Sequence, residues 1–189
     1  MNKKLYLIAG ANGSGKTTLA RELLANENIC FLNADEYAKE LSPKDLSKVK
    51  ITAGKKLFHE LDRCIKNNLS FAIETTLAGS LYVKIIKHLQ KEGYKVHLIY
   101  VFLDSPQMCI ARIKGRVKQG GHYIPDIDVH RRYFRSLKNF WNCYKDIVDS
   151  WGLYYNGTGQ NIFVASGTKV DIDILNPLLY NLFHKGLNQ

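Results

Sequence analysis

Apolar positions along the chain switch repeatedly between short continuous runs and helical spacing. Leu5 to Ala9 is a compact apolar run with one tyrosine, closed by glycine, and it predicts a buried strand. After a glycine-rich stretch, Leu19, Leu23 and Leu24 recur at helical spacing between Lys16 and Leu24. Ile29 to Leu32 predicts a second strand, which runs into Asn33-Ala34-Asp35. Pro43 to Asn67 carries Val49, Leu57, Phe58, Leu61 and Ile65 at the spacing of a long amphipathic helix. Leu69 to Ile73 predicts a third strand ending at Glu74, Leu81 to Leu89 a helix, and Lys95 to Leu103 the strongest strand. Pro106 to Lys118 predicts another helix, stopped by Gly120-Gly121, and Pro125-Asp126 opens the next, running to about Tyr144. Trp151 to Asn156 and Asn161 to Ala165 predict strands around a glycine turn, and Asp171 to Lys185 a closing helix.

Strands alternating with helices imply an α/β fold, a parallel sheet flanked by helices on both faces. No repeat, low-complexity tract or linker divides the chain, so residues 1–189 are expected to form a single domain. Composition leaves this picture unchanged: 46% hydrophobic and 23% charged residues are ordinary for a soluble globular protein. The longest apolar stretch, Val96 to Leu103, falls far short of the ~20 residues that span a bilayer. The opening Met1-Asn2-Lys3-Lys4 has an apolar follower too short for a signal peptide, so no membrane association and a cytoplasmic location are expected. The four cysteines, Cys30, Cys64, Cys109 and Cys143, show neither a CxxC pair nor metal-ligand spacing and are expected to be reduced thiols.

The stretch between the first strand and the first helix carries the clearest chemistry. Gly10-Ala11-Asn12-Gly13-Ser14-Gly15-Lys16-Thr17-Thr18 matches the phosphate-loop pattern GxxxxGK[ST], in the strand–loop–helix context that the motif requires. Its glycines let backbone N–H groups turn onto phosphates at the positive end of a helix. Lys16 is expected to bridge the β- and γ-phosphates of ATP, and Thr17 to ligate Mg²⁺ through its hydroxyl. The alternative is a glycine-rich turn with a chance lysine. A phosphate loop names a nucleotide and not a reaction. ABC-type and AAA-type ATPases need an apolar strand ending in paired acids, which is not found. Thr168-Lys169-Val170-Asp171 and Asp149 to Gly152 fit GTPase patterns, but they lie too close together and too late in the chain for a switch-bearing G domain.

The formal charge is +10, with eight basic residues against two acids between Arg112 and Lys138. So concentrated a cluster suits a polyphosphate ligand better than a long duplex and argues against nucleic acid. Arg112 and Arg116 lie four apart on one predicted helix face, followed by Gly120 to Pro125 and a second helix carrying Arg131, Arg132 and Arg135. Two helices joined by a glycine-containing loop and lined with guanidiniums suit a lid, over about residues 112–138, that neutralises a transferring phosphoryl group and excludes water. A solvated basic face is the plainer alternative. Asp35 and Glu74 sit at strand ends, where an open α/β sheet forms its ligand crevice. Asp35 is the better candidate base for an acceptor hydroxyl. Glu74, with Thr75 and Thr76 beside it, is suited to hydrogen-bonding the acceptor. Asp35 could instead cap the following helix, and Glu74 could be an ion-pair partner of the lid.

The Arg112-Ile113-Lys114-Gly115-Arg116 stretch resembles the lid of adenylate, gluconate and shikimate kinases, which implies Arg112 on the adenine and Arg116 at the phosphates. Taken together, GANGSGKTT, NADEYA, FAIETTLAG and GGHYIPDIDVHRRYFRSLKNFW resemble the zeta toxin family of P-loop kinases, from about Leu5 to Trp141. That resemblance implies transfer of the ATP γ-phosphate to the sugar of UDP-N-acetylglucosamine. It implies Lys16 and Thr17 on nucleotide and Mg²⁺, Asp35 as base, Glu74 on the substrate, and Arg116 and Arg132 at the transferred group. It also implies an antitoxin protein as a possible partner. The expectation is therefore an ATP-dependent kinase of a small hydroxyl-bearing metabolite. The competing reading is an ATP-binding regulator or nucleic-acid-associated ATPase.

Overall fold

The computed structural model describes residues 3–25, 29–42 and 46–189. Strand β1 (Lys4–Ala9) leads through the phosphate loop into helix α1 (Lys16–Leu24). Then follow β2 (Cys30–Leu32), α2 (Ala34–Leu41), α3 (Leu46–Lys66), β3 (Phe71–Thr75), α4 (Leu81–Lys91) and β4 (Lys95–Phe102). The remainder is α5 (Pro106–Lys118), α6 (Asp126–Asn139), a π-helical turn (Phe140–Tyr144), α7 (Lys145–Ile147), β5 (Ser150–Tyr155), β6 (Ile162–Gly167), β7 (Ile172–Ile174) and α8 (Pro177–Leu187). The sequence-predicted start of the third helix at Pro43 lies outside the described residues.

The strands form one seven-stranded sheet in the order β2-β3-β1-β4-β5-β6-β7. Its first five strands are parallel, and β6 and β7 add antiparallel at one edge. Alternation along β1 sends Leu5, Leu7 and Ala9 to the main core and Ile8 to the opposite face. The main core gathers Leu57 and Leu61 of α3, Ile86 and Leu89 of α4, Val129 and Tyr133 of α6, and Phe183 of α8. On the other face, Ala20 and Leu24 of α1 pack against Ile8, Ala72, Tyr6 and Ile99. This second layer is thinner, and it leaves Tyr6, Phe31 and Ile99 half-buried. Among the described residues, no helix is long and apolar enough to cross a membrane.

Two elements depart from the sequence reading. The expected closing helix from Asp171 is a strand first: Ile172–Ile174 pairs antiparallel with β6, and the helix begins only at Pro177. Asn176 caps it by accepting the Leu179 N–H, with Pro177 at the first helical position, where a missing N–H costs nothing. The helix expected to run unbroken to Tyr144 leaves α-geometry at Phe140. The wider π turn keeps both Phe140 and Tyr144 buried, with Phe140 stacked on Tyr100 at 4.4 Å and the Tyr144 hydroxyl donating to the Gly79 carbonyl.

Both GTPase-like segments are structural. Burial works against the charge of Asp149, but hydrogen bonds from the Val96 N–H, Gln90 and Lys95 outweigh it and hold its carboxyl below the usual range. Thr168 accepts the N–H groups of Val170 and Asp171 within the β6–β7 turn.

Candidate active site

Every strand that builds the site ends at the same edge of the sheet. The parallel register sets Ile8 of β1 beside Glu74 of β3, two residues before the phosphate loop begins to turn at Gly10. Leu32 of β2 pairs with Ile73, so Asn33 emerges next to Glu74. The Glu74 carboxylate accepts the Thr17 hydroxyl at 2.7 Å and the Asn33 amide at 2.9 Å through Oε2. Its Oε1 lies 3.7 Å from the Lys16 ammonium. Glu74 thus partners Lys16 of the phosphate loop, and the alternative of a lid ion pair finds no support among the described contacts.

Lys16 is 6% exposed and donates to the Ala11 carbonyl at 2.9 Å. Gly10 has φ +142°, and a Cβ there would meet the Val101 carbonyl oxygen at 2.2 Å, so the turn out of β1 admits no side chain. Helix α1 starts without a side-chain cap and without an acid in its first turn. Its N–H groups and the positive end of its dipole are therefore left for an anion. Below the loop, burial pushes the Cys109 thiol up to about 12, which leaves it an inert core group.

A cleft of about 610 Å³ opens over this loop. Asn12, Lys16, Thr17 and Glu74 line it, together with Asp35, Glu36 and Lys39 of α2 and Arg21 of α1. Arg112, Arg116 and His122 of the segment expected to form a lid, and Asn156, Gly159 and Asn161 of the β5–β6 loop, line it as well. A second depression of about 630 Å³ lies against α8 around Leu178, Leu182 and His184, and none of the expected site residues line it.

Asp35 is exposed in the first turn of α2, on the cleft wall. It is not the helix cap. That position belongs to Asn33, whose Oδ1 accepts the N–H groups of Asp35 and Glu36 at 2.8 and 3.3 Å. Thr75, expected to face an acceptor, accepts the Leu77 N–H at 3.1 Å instead and does not line the cleft.

Charges in the lid divide into two groups. Lys114 pairs with Asp126 at 2.7 Å and Arg131 with Asp128 at 2.6 Å, which ties α5 to α6 and closes one turn of α6. Arg112, Arg116 and Arg132 have no carboxylate partner among the described residues. Arg112 donates to the Asn156 carbonyl at 2.5 Å, Arg116 reaches the His122 carbonyl at 3.4 Å, and Arg132 meets Asn12 Oδ1 of the phosphate loop at 3.3 Å. The structure therefore brings two lid arginines to the cleft wall and a third onto the loop itself. Sequence reasoning missed Asn33, Lys39 and Asn156. Asn33 and Asn156 have position as their only sequence signal, each just past a strand end, and Lys39 lies within α2 with no signal of its own.

A model of the zeta toxin family matches residues 1–150. The chain belongs to the zeta toxin family. An uncharacterized protein of Haemophilus influenzae is 34% identical over 133 residues, covering 70% of this chain and 94% of its own length. Among solved structures, the PezAT chromosomal toxin-antitoxin system of Streptococcus pneumoniae aligns with a TM-score of 0.70 at 16% identity, over 99% of this chain and 86% of that one. The AvrRxo1-ORF1:AvrRxo1-ORF2 structure with ATP aligns with a TM-score of 0.72 at 14% identity, over 95% of this chain. The zeta toxin-like chain described here spans 63% of that protein's length. Identities this low speak for the fold, and the fold is that of a P-loop kinase.

Proposed function

We propose that this zeta toxin family member is an ATP- and Mg²⁺-dependent kinase that transfers the γ-phosphate to a hydroxyl of a small metabolite, a nucleotide sugar of the UDP-N-acetylglucosamine type. The observation that carries this reading is that two carboxylates in different settings line the one cleft over the phosphate loop. Glu74 is bound to Thr17 and close to Lys16, whereas Asp35 stands exposed in the cleft lining with no capping duty. Oxygen donors at Thr17 and Glu74 fit Mg²⁺, which keeps several waters and is held largely through substrate phosphates. When bound, the ion would neutralise charge on the β- and γ-phosphates.

Asp35 accepts the proton of the acceptor hydroxyl as its oxygen bonds to the γ-phosphorus and the bond to ADP breaks. Lys16 and the loop N–H groups hold the phosphates in line. Arg116 and Arg132, free of carboxylate partners among the described residues, stabilise the transferring group, and Arg112 packs on the adenine. Glu74 orients the metal side and the acceptor. An antitoxin-type protein partner is part of the same reading, supported by family membership and by the PezAT likeness.

Incubation with ATP, Mg²⁺ and UDP-N-acetylglucosamine should yield a phosphorylated sugar nucleotide and ADP in equal amounts. If ATP turnover responds only to polynucleotide, and falls steeply with salt, the nucleic-acid-associated reading replaces this one. The lid has its own test. Amide exchange over residues 112–138 should slow when a non-hydrolysable ATP analogue and Mg²⁺ are added. Protection confined to α8 would move the lid elsewhere.

A further inference from the structure

Four buried side-chain atoms lack a hydrogen-bond partner among the described residues, and two of them, Ser14 Oγ and Asn156 Oδ1, belong to residues that are joined through other atoms where the phosphate loop passes the end of β5. Asn156 is 6% exposed. Its backbone N–H donates to the Phe102 carbonyl at 3.1 Å, at the end of β4. Its Nδ2 donates to the Ser14 carbonyl at 3.0 Å, and its own carbonyl accepts from Arg112. The same Nδ2 fills the space a side chain at residue 15 would need: a Cβ on Gly15 would stand 2.0 Å from it.

We propose that Asn156 is a positioning residue of the nucleotide site, which sets the Ser14–Gly15 peptide of the phosphate loop and links it to the lid arginine Arg112. The reason is the geometry of one peptide plane. In a trans peptide the C=O of Ser14 and the N–H of Gly15 point in opposite directions. Drawing the carbonyl toward Asn156 therefore aims the Gly15 N–H away from it, toward the anion that the loop cradles. Without that donor the carbonyl is free to rotate inward, where its lone pairs would face phosphate oxygens. The carbonyl of Asn156 holds Arg112 in the same arrangement, so lid helix and loop share one anchor.

The inference rests on the nucleotide reading of the loop and is independent of the acceptor. Asn156→Ala removes the donor, and Asn156→Ser leaves a hydroxyl too short to reach Ser14. Titration calorimetry on both variants should show affinity for Mg²⁺-ATP and for inorganic tripolyphosphate falling by the same factor, about ten-fold for one lost hydrogen bond. Amide exchange at Gly13 to Thr17 should accelerate while that of β2 and β3 stays at the wild-type rate. Unchanged affinities would overturn the proposal, as would loss of ATP binding with tripolyphosphate binding intact, which would make Asn156 a base contact. Uniformly faster exchange, or failure of both variants to fold, would make it a core residue and overturn the proposal likewise. Wild-type protein binding neither probe would instead sink the nucleotide reading itself.

Discussion

Asp35→Asn is expected to lower phosphoryl transfer to the acceptor by about 10²–10⁴, the contribution of a positioned base, while leaving ATP affinity nearly intact. The substitution keeps shape and most hydrogen-bonding capacity but removes the charge and the proton acceptor. Were Asp35 a helix cap, the change would be almost silent, since Asn caps about as well as Asp. The structure gives the cap to Asn33, whose Oδ1 already holds the second and third N–H groups of the turn, those of Asp35 and Glu36. Asp35 is therefore free to serve the cleft it lines. In the proposed reading ATP is held by the loop and the lid, neither of which Asp35 touches in the described contacts. Measuring ATP binding and acceptor phosphorylation on one preparation separates chemistry from nucleotide affinity. Normal phosphorylation in Asp35→Asn would rule it out as the base. Glu74 would be a poor replacement, because Thr17 and Asn33 both donate to its carboxylate.

What could be read from the sequence depended on how local the signal was. The phosphate loop is a contiguous motif whose geometry follows from its own glycines, and it stands in the structure as expected. Strand–helix alternation likewise gave the α/β order, because each element carries its own periodicity. β7 escaped because Asp171 to Ile174 has too few residues for period two to stand out against helix, although Asn176-Pro177 marks a helix start. Glu74 was visible as a strand-end acid, but its hold on Thr17 depends on the β1–β3 register, which no local pattern encodes. Asn156 was invisible for the same reason: its partner Ser14 lies 142 residues away. In the lid, composition showed the excess of arginine. Only the fold shows that Lys114 and Arg131 are neutralised by Asp126 and Asp128, while Arg112, Arg116 and Arg132 find no carboxylate among the described residues.

Lys16→Ala is expected to reduce turnover by on the order of 10²–10³-fold, as for loss of one transition-state donor. The ammonium lies 2.9 Å from the Ala11 carbonyl and 3.7 Å from Glu74, and Lys16 lines the cleft. It holds the loop closed on itself and is within reach of a β- or γ-phosphate that would displace the carbonyl. Removing it also leaves the Glu74 carboxylate without its cation, and truncating one partner of a buried pair normally destabilises. Here Glu74 keeps the Thr17 and Asn33 donors, so the loss should be about 1–3 kcal/mol, the cost of one buried group left under-paired. For a chain of this size that lowers the melting temperature by roughly 2–12 °C and leaves a folded protein. Stabilisation by added Mg²⁺-ATP reports binding separately, because a ligand raises stability by RT ln(1 + [L]/Kd). The variant should show a smaller ATP-induced shift than wild type and far lower turnover per folded molecule. Wild-type turnover with an unchanged ATP-induced shift would mean that Lys16 only braces the loop against Ala11 and Glu74, and the phosphate-binding assignment would fall.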